Sequence, residues 1–326
     1  MRLALIGTVG FLASVASASM AGVDWESAAR IERNFFENLK DRKWIQKFAG
    51  TCPPSLLVVD GGIAVPLGPQ ASARGTDSKI WLAGEAGVAV KLIGTSVRAF
   101  TDLSREKAVL QELRTLNGLS VGVHSIDSVM SDPCRVRMLV TDKVLTSNPP
   151  FSSEQVARVA VQSIRALQAV HAHGILHGDV HLGNILVSGS GVRLIDFGRS
   201  AAFVKLDGSR DHVEFVEKAL DSFWVPAYLS PWELDGSPLS RRDDMYRLSE
   251  LLYWLTDQSL PLHRQSATRP TPSVLAERKR NFSMPGKDLL NRFHAAMVSL
   301  TFDERPDYDL WVGEFERVAA ARGIGL

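Results

Sequence analysis

Residues 175–187 read ILHGDVHLGNILV: a His, an Asp, a second His and an Asn between two short apolar runs, with glycines at 178 and 183. The glycines argue against a continuous helix, so Asp179 and Asn184 stand five residues apart on a short loop. Twelve residues after Asn184 a second apolar run ends in an acid, Leu194-Ile195-Asp196-Phe197-Gly198. An amide and a carboxylate that converge supply hard oxygen donors, which suit Mg²⁺ shared with substrate phosphates. Asp179 is then left to accept or orient the proton of a hydroxyl. His173, His177 and His181 fall four apart, a spacing that on a helix suits zinc. Gly174, Gly178 and Gly183 interrupt any such helix and no Cys is near, so His177 reads as a structural residue packed beneath the loop.

Upstream, Lys91 ends Val88-Ala89-Val90-Lys91 on an expected strand, where a half-buried ammonium needs an anion. Glu106, in the helical stretch SREKAVLQELRTL, is a suitable partner. From Leu56 to Val144 the texture is short β-like runs (LLVV, KIWLA, VAVKLI, VRMLV) around that one helix. From Ser152 onward helices dominate. Ser152 with Gln155 forms a capping box, and Val156, Val159, Ala160, Ile164, Leu167 and Val170 make an apolar stripe. A β-rich half followed by an α-rich half predicts two lobes, with a boundary near Thr146-Ser147-Asn148-Pro149-Pro150.

The 326 residues are 45% hydrophobic and 22% charged, an ordinary globular composition. With 37 Lys and Arg against 36 Asp and Glu there is no field to steer the chain toward nucleic acid or an anionic membrane. The first residues differ. One Arg, an apolar run from Leu3 to about Val15 and Ala16-Ser17-Ala18 read as a secretory signal peptide over residues 1–18. Residues 19–55 read as a helical extension and 56–326 as the main domain, divided into 56–144 and 145–326. No later stretch offers 18 uncharged apolar residues, so no stable membrane anchor is expected after cleavage. In an oxidising compartment Cys52 and Cys134 either pair or remain separate thiols.

HGDVHLGN with DFG, after VAVK and a helix bearing REKAVL, resembles the protein kinases, whose pattern is H-R-D-x-x-x-x-N, D-F-G and V-A-I-K. LSRRDDMYRLSELLYWLTDQSLP and LTFDERPDYDLW look like the matching segments of the casein kinase one superfamily, which includes the vaccinia-related kinases. The resemblance implies an α+β, two-lobed fold with a small β-rich N-lobe and a larger helical C-lobe. It implies ATP and Mg²⁺ or Mn²⁺ as cofactors and a protein Ser/Thr hydroxyl as acceptor. Asp179, Lys91, Glu106 and His181 would be catalytic, and Asn184 and Asp196 the metal ligands. Gly75, Lys91, Thr141, Asp142 and Val144 would bind nucleotide. Asp244 would hold the catalytic-loop backbone, and Arg305-Pro306-Asp307-Tyr308 would open the last helix.

Four departures bear on function. PLGPQASARGTDSKIWLA has only Gly68 and Gly75 where G-x-G-x-x-G is expected, with Ala73 and Ser78 at the outer positions. His181 stands where Ser/Thr kinases place a Lys, as in small-molecule kinases of the aminoglycoside phosphotransferase type. The segment from Asp196 to Pro231 is long, Trp232 stands where A-P-E is expected, and Glu233 meets Arg305 only if one insertion is allowed. Gly178 also replaces the Arg that meets a phosphorylated activation segment in regulated kinases. The expected function is a secreted protein Ser/Thr kinase. The alternatives are a secreted pseudokinase acting as a binding module and a small-molecule kinase.

Overall fold

The computed structural model describes residues 57–60, 63–66, 73–74, 78–83, 88–93, 97–113, 123–131, 134–142, 151–188, 191–203, 229–257 and 271–324. The expected signal peptide and helical extension, Cys52, Gly75, Val144 and the inter-lobe boundary lie outside them. The sequence-rich β half forms a five-stranded antiparallel sheet in the order β3-β4-β5-β7-β6. Its strands are β3 (Ala73–Arg74), β4 (Ser78–Ala83), β5 (Val88–Ile93), β6 (Val123–Ser131) and β7 (Cys134–Asp142), preceded by a hairpin of β1 (Leu57–Asp60) and β2 (Ile63–Pro66). VAVKLI is rich in β-branched residues and takes the middle of the sheet, with Lys91 opposite Ile80 on one side and Leu139 on the other. A single described helix, α1 (Val97–Glu112), lies between β5 and β6.

Two elements depart from the expectation. Helix α1 begins seven residues before Ser104, because Arg98, Thr101 and Asp102 blur the apolar period of its first turns. Strand β6 carries His124, Ser125, Asp127 and Ser128, which hide its alternation; it is an edge strand paired only with β7 among the described residues.

The C-lobe is built on α2 (Ser153–Ala172). The Ser152 side chain accepts from Gln155 N at 3.2 Å, and the Gln155 side chain accepts from Ser152 N at 2.8 Å, so the capping box forms as read. All six residues of the predicted stripe are buried. They face α4 (Arg241–Asp257) and α7 (Tyr308–Ala321), while α6 (Asp288–Ser299) also packs on α4 and α5 (Pro272–Arg280) packs on α3 (Pro231–Leu234). Leu167, Leu248 and Leu252 are fully enclosed there. Each contributes roughly 1.5–3 kcal/mol relative to an exposed leucine. Phe293 of α6 meets Trp311 and Phe315 of α7 edge-on. Asp307 caps α7 by accepting from Leu310 N at 3.0 Å, so the RPDY stretch does open the last helix.

A short hairpin and a two-stranded ladder hold the motif loops side by side. β8 (Ile175–Leu176) pairs with β11 (Ala201–Ala202), and β9 (Ile185–Ser188) pairs with β10 (Gly191–Leu194). HGDVHLGN therefore links β8 to β9 and IDFGRS links β10 to β11, and Ile195 N donates to Asn184 O at 3.0 Å between them. The chain has the expected two-lobed α+β organisation.

Candidate active site

Asp244, buried in the first turns of α4, fixes the loop. Its Oδ2 accepts from His177 N and its Oδ1 from Gly178 N, both at 2.8 Å. His171 Nε2 lies 2.9 Å from the same carboxylate, and its Nδ1 lies 2.6 Å from the Tyr308 hydroxyl. Burial alone would raise the Asp244 pKa, but the His171 hydrogen bond and the nearby His177 and Arg247 outweigh it and keep the carboxyl below its ordinary range. The expected role of Asp244 is thus met by direct geometry.

His177 is fully enclosed and packs tilted against the Phe197 ring with centroids 4.6 Å apart, as expected of a residue beneath the loop. Its Nε2 lies 3.1 Å from Ile195 O, which only accepts, so Nε2 carries the proton and Nδ1 accepts from Asp179 N at 3.3 Å. Burial lowers its pKa, which favours this neutral form.

The carboxylate of Asp179 is held from both sides. Arg199 Nη1 lies 2.7 Å from Oδ1, and Arg247 Nη1 lies 3.9 Å from the same atom. Asn184 Nδ2 lies 3.3 Å from Oδ2 and also donates to Asp179 O at 2.9 Å, while His181 Nε2 is 3.6 Å from Oδ2. Burial would raise the Asp179 pKa, but His181 and the Arg199 and Arg247 guanidinium groups hold it well below the usual carboxylate range. His181 accepts from Gly183 N through Nδ1 at 3.0 Å, which leaves Nε2 toward Asp179. A Cβ at Gly183 would lie 2.8 Å from His181 Cε1, so the glycine makes room for the ring.

Lys91 reaches Glu106 at 2.8 Å and Asp196 at 2.9 Å. Burial alone would lower the ammonium pKa, and the two carboxylates outweigh it and raise it above the ordinary lysine value. Helix α1 is brought to the second loop by Arg105, whose Nη1 donates to Gly198 O at 3.0 Å. Asp196 has φ +60, the one positive value among described non-glycine residues. This sparsely populated backbone state falls at a predicted metal ligand. Thr141 and Asp142 end β7, opposite Ala89 and Val88.

The Asn184 amide nitrogen is spent on Asp179, which leaves its oxygen; with the Asp196 carboxylate this is a hard donor pair that fits Mg²⁺ or Mn²⁺. No cluster of three His, Cys, Asp or Glu side chains suited to a metal occurs among the described residues. Phosphate oxygens and water would therefore have to complete the shell.

Arg247 escaped the sequence reading, and one pairing is corrected. Glu233, in α3 (Pro231–Leu234), meets Arg247 Nη2 and lies 3.6 Å from Arg199 Nη2, whereas Arg305 is exposed. The Glu233 to Arg305 pairing therefore does not form. Arg247 also donates to Gly178 O. The signal was present: Arg247 follows Asp244 by three positions on α4, so the two share a helix face.

A helix-borne Asp under the loop, a Lys joined to two acids, and an Asp with an Asn five residues on thus stand together in one site. A protein kinase domain model matches residues 84–301, and the chain belongs to that family. It is 29% identical over 220 residues to the DNA damage-responsive serine/threonine-protein kinase RqkA of Deinococcus radiodurans, covering 60% of this chain and 32% of that protein. It is also 29% identical over 174 residues to casein kinase I homolog 1 of Saccharomyces cerevisiae, covering 49% of this chain and 32% of the relative. The chain thus spans about a third of the length of each of these two relatives. The solved structure of vaccinia related kinase 3 superposes with a TM-score of 0.69 at 18% identity, covering 89% of this chain and 97% of that one. That likeness is one of fold.

Proposed function

We propose that the chain is an ATP-dependent protein Ser/Thr kinase. The observation that carries this is Lys91 within 2.9 Å of both Glu106 and Asp196, in the same fold that sets Asn184 against Asp179. A protein that only binds has no chemical use for all five groups in register. The names of the relatives, which are serine/threonine-protein kinases and casein kinase homologues, support a protein acceptor.

Phosphoryl transfer asks for positioning and charge neutralisation rather than covalent chemistry. Lys91, fixed by Glu106, would bind the α- and β-phosphates, with Thr141 and Asp142 near the nucleotide; the family resemblance adds Gly75 and Val144, which lie outside the described residues. Asn184 and Asp196 would hold Mg²⁺ or Mn²⁺, which neutralises phosphate charge when bound. Asp179 would accept the acceptor hydroxyl's hydrogen bond and orient it; its lowered pKa suits an orienting acceptor better than a strong base.

His181 in place of a lysine favours a second reading, a small-molecule acceptor. The test is transfer of labelled γ-phosphate from ATP by the purified chain, with casein in one arm and an aminoglycoside in the other, and Asp179→Asn as the control. Label on casein, lost in Asp179→Asn, supports the protein-kinase reading. Label on the aminoglycoside alone supports the second. Equal background in every arm returns the chain to the binders.

We also propose export, from the apolar run and Ala16-Ser17-Ala18. Mass spectrometry of the secreted protein should give Ser19 or Gly22 as the first residue, and an intact Met1 on cytosolic protein would count against it.

A further inference from the structure

We propose that Arg199 is a positioning residue for phosphoryl transfer: it clamps Oδ1 of Asp179 and leaves Oδ2 as the atom that receives the acceptor hydroxyl. The proposal rests on the kinase reading of this site. Arg199 Nη1 is 2.7 Å from Asp179 Oδ1, and Nη2 is 3.6 Å from Glu233 Oε1. One planar fork therefore spans the acid of the loop and the acid of α3, a geometry that suits a guanidinium and not an ammonium. Its side chain is about a quarter exposed, so it stands at the mouth of the site rather than in the core.

The other carboxylate oxygen is differently placed. Oδ2 meets the Asn184 amide at 3.3 Å and the His181 ring at 3.6 Å, contacts longer than the Arg199 contact. A hydroxyl of an incoming acceptor can join that side without displacing an arginine, since both arginine contacts are to Oδ1. Arg247, buried behind the loop, is 3.9 Å from Oδ1 and holds Gly178 O, so the backbone and the carboxylate are fixed from one direction.

The loop sequence fits this clamp. Gly178 has φ +71, and a Cβ built on it would lie 2.5 Å from the Arg199 carbonyl oxygen. A larger residue at 178 would be strained and would push the 199 backbone away. Glycine at 178 thus lets the 199 backbone lie close against the loop that carries Asp179.

The experiment compares Arg199→Met, Arg199→Lys, Arg199→Ala and Gly178→Arg with the unaltered full chain, using ATP, Mg²⁺ and casein. Autophosphorylation and ATP hydrolysis are followed beside casein labelling. Arg199→Met should lower kcat at least tenfold while KM for ATP changes less than twofold. Arg199→Lys should fall between it and the unaltered chain, and guanidinium ion should restore Arg199→Ala several-fold. Gly178→Arg should lose transfer as Arg199→Met does. A second readout needs no turnover: melting temperatures of Arg199→Met, Asp179→Asn and the double variant should be non-additive, since the residues are in contact. Unchanged kcat in Arg199→Met, additive melting shifts or full activity of Gly178→Arg would each overturn the clamp. If the unaltered chain labels neither casein nor itself and does not hydrolyse ATP, the kinase reading fails first and takes the proposal with it.

Discussion

Asp243 offers a stability test whose size follows from its surroundings. Its side chain is fully enclosed in the first turn of α4. Burial and the neighbouring Glu233 push its pKa up to about 6 from 3.8, against the opposing hydrogen bonds from Ser230 and Ser240 and the charge of Arg247. The folded state therefore keeps a proton that the unfolded chain has already lost between pH 4 and 6. Stability from this group is complete below the unfolded value near 3.8 and falls as pH rises through about 6. The shift of about 2 units corresponds to roughly 3 kcal/mol. Asp179 and Asp244, whose pKa values are lowered, act in the opposite sense, adding stability above their unfolded values. His177 and His294, kept neutral by burial, also gain stability as pH rises. These contributions are shared by Asp243→Asn and cancel in a difference. Urea unfolding of both proteins at half-unit steps from pH 4 to 7 should show the stability of the unaltered chain falling by about 3 kcal/mol relative to Asp243→Asn. A flat or rising difference would refute the argument.

Other perturbations separate roles at the site and in the core. Asp196→Ala should weaken Mg²⁺-dependent nucleotide binding at least tenfold, measured by calorimetry, whereas Asp179→Asn should bind nucleotide normally and lose transfer. Lys279, fully enclosed, lies 2.8 Å from both oxygens of Glu250, which also accepts from the Tyr246 hydroxyl at 3.0 Å. Lys279→Met should cost about 3–5 kcal/mol in chemical unfolding by stranding a buried carboxylate, and Glu250→Gln in the same chain should recover most of it. Because Gly178 supplies no guanidinium for a phosphate, phosphatase treatment should leave transfer unchanged; a tenfold fall, about 1.4 kcal/mol, would show that another cation takes that part.

The loop motifs were readable because their chemistry is local: His, Asp and Asn within eight residues, then an acid after an apolar run. The six-residue stripe of α2 and its capping box were readable for the same reason, since a 3.6-residue period and a cap are short-range features. Asp244 came through family resemblance, and the structure supplies its cause in two backbone N–H groups it holds at 2.8 Å. What stayed hidden was long-range pairing. Glu233 chooses between arginines 14 and 72 residues away, and nothing in its own neighbourhood ranks them. Arg199 is 20 residues from Asp179, and the β8–β11 pairing and the β9–β10 hairpin are what bring the two loops into contact.

The charges around Asp179 bear on how activity is controlled. In a loop with arginine before the catalytic acid, a modification that adds a phosphate can organise the activation segment through that arginine. Here the guanidinium groups come from Arg199, just after the DFG turn, and from Arg247 on α4, and both converge on Glu233 of α3. Glu233 follows the activation segment and is itself fixed by the capping box with Ser230, whose backbone N donates to Glu233 Oε2 at 2.8 Å. The two ends of the segment are thus joined through carboxylates that are part of the chain. These links are made by side chains of the C-lobe itself, so on the kinase reading proposed above they need no phosphate added by a second kinase.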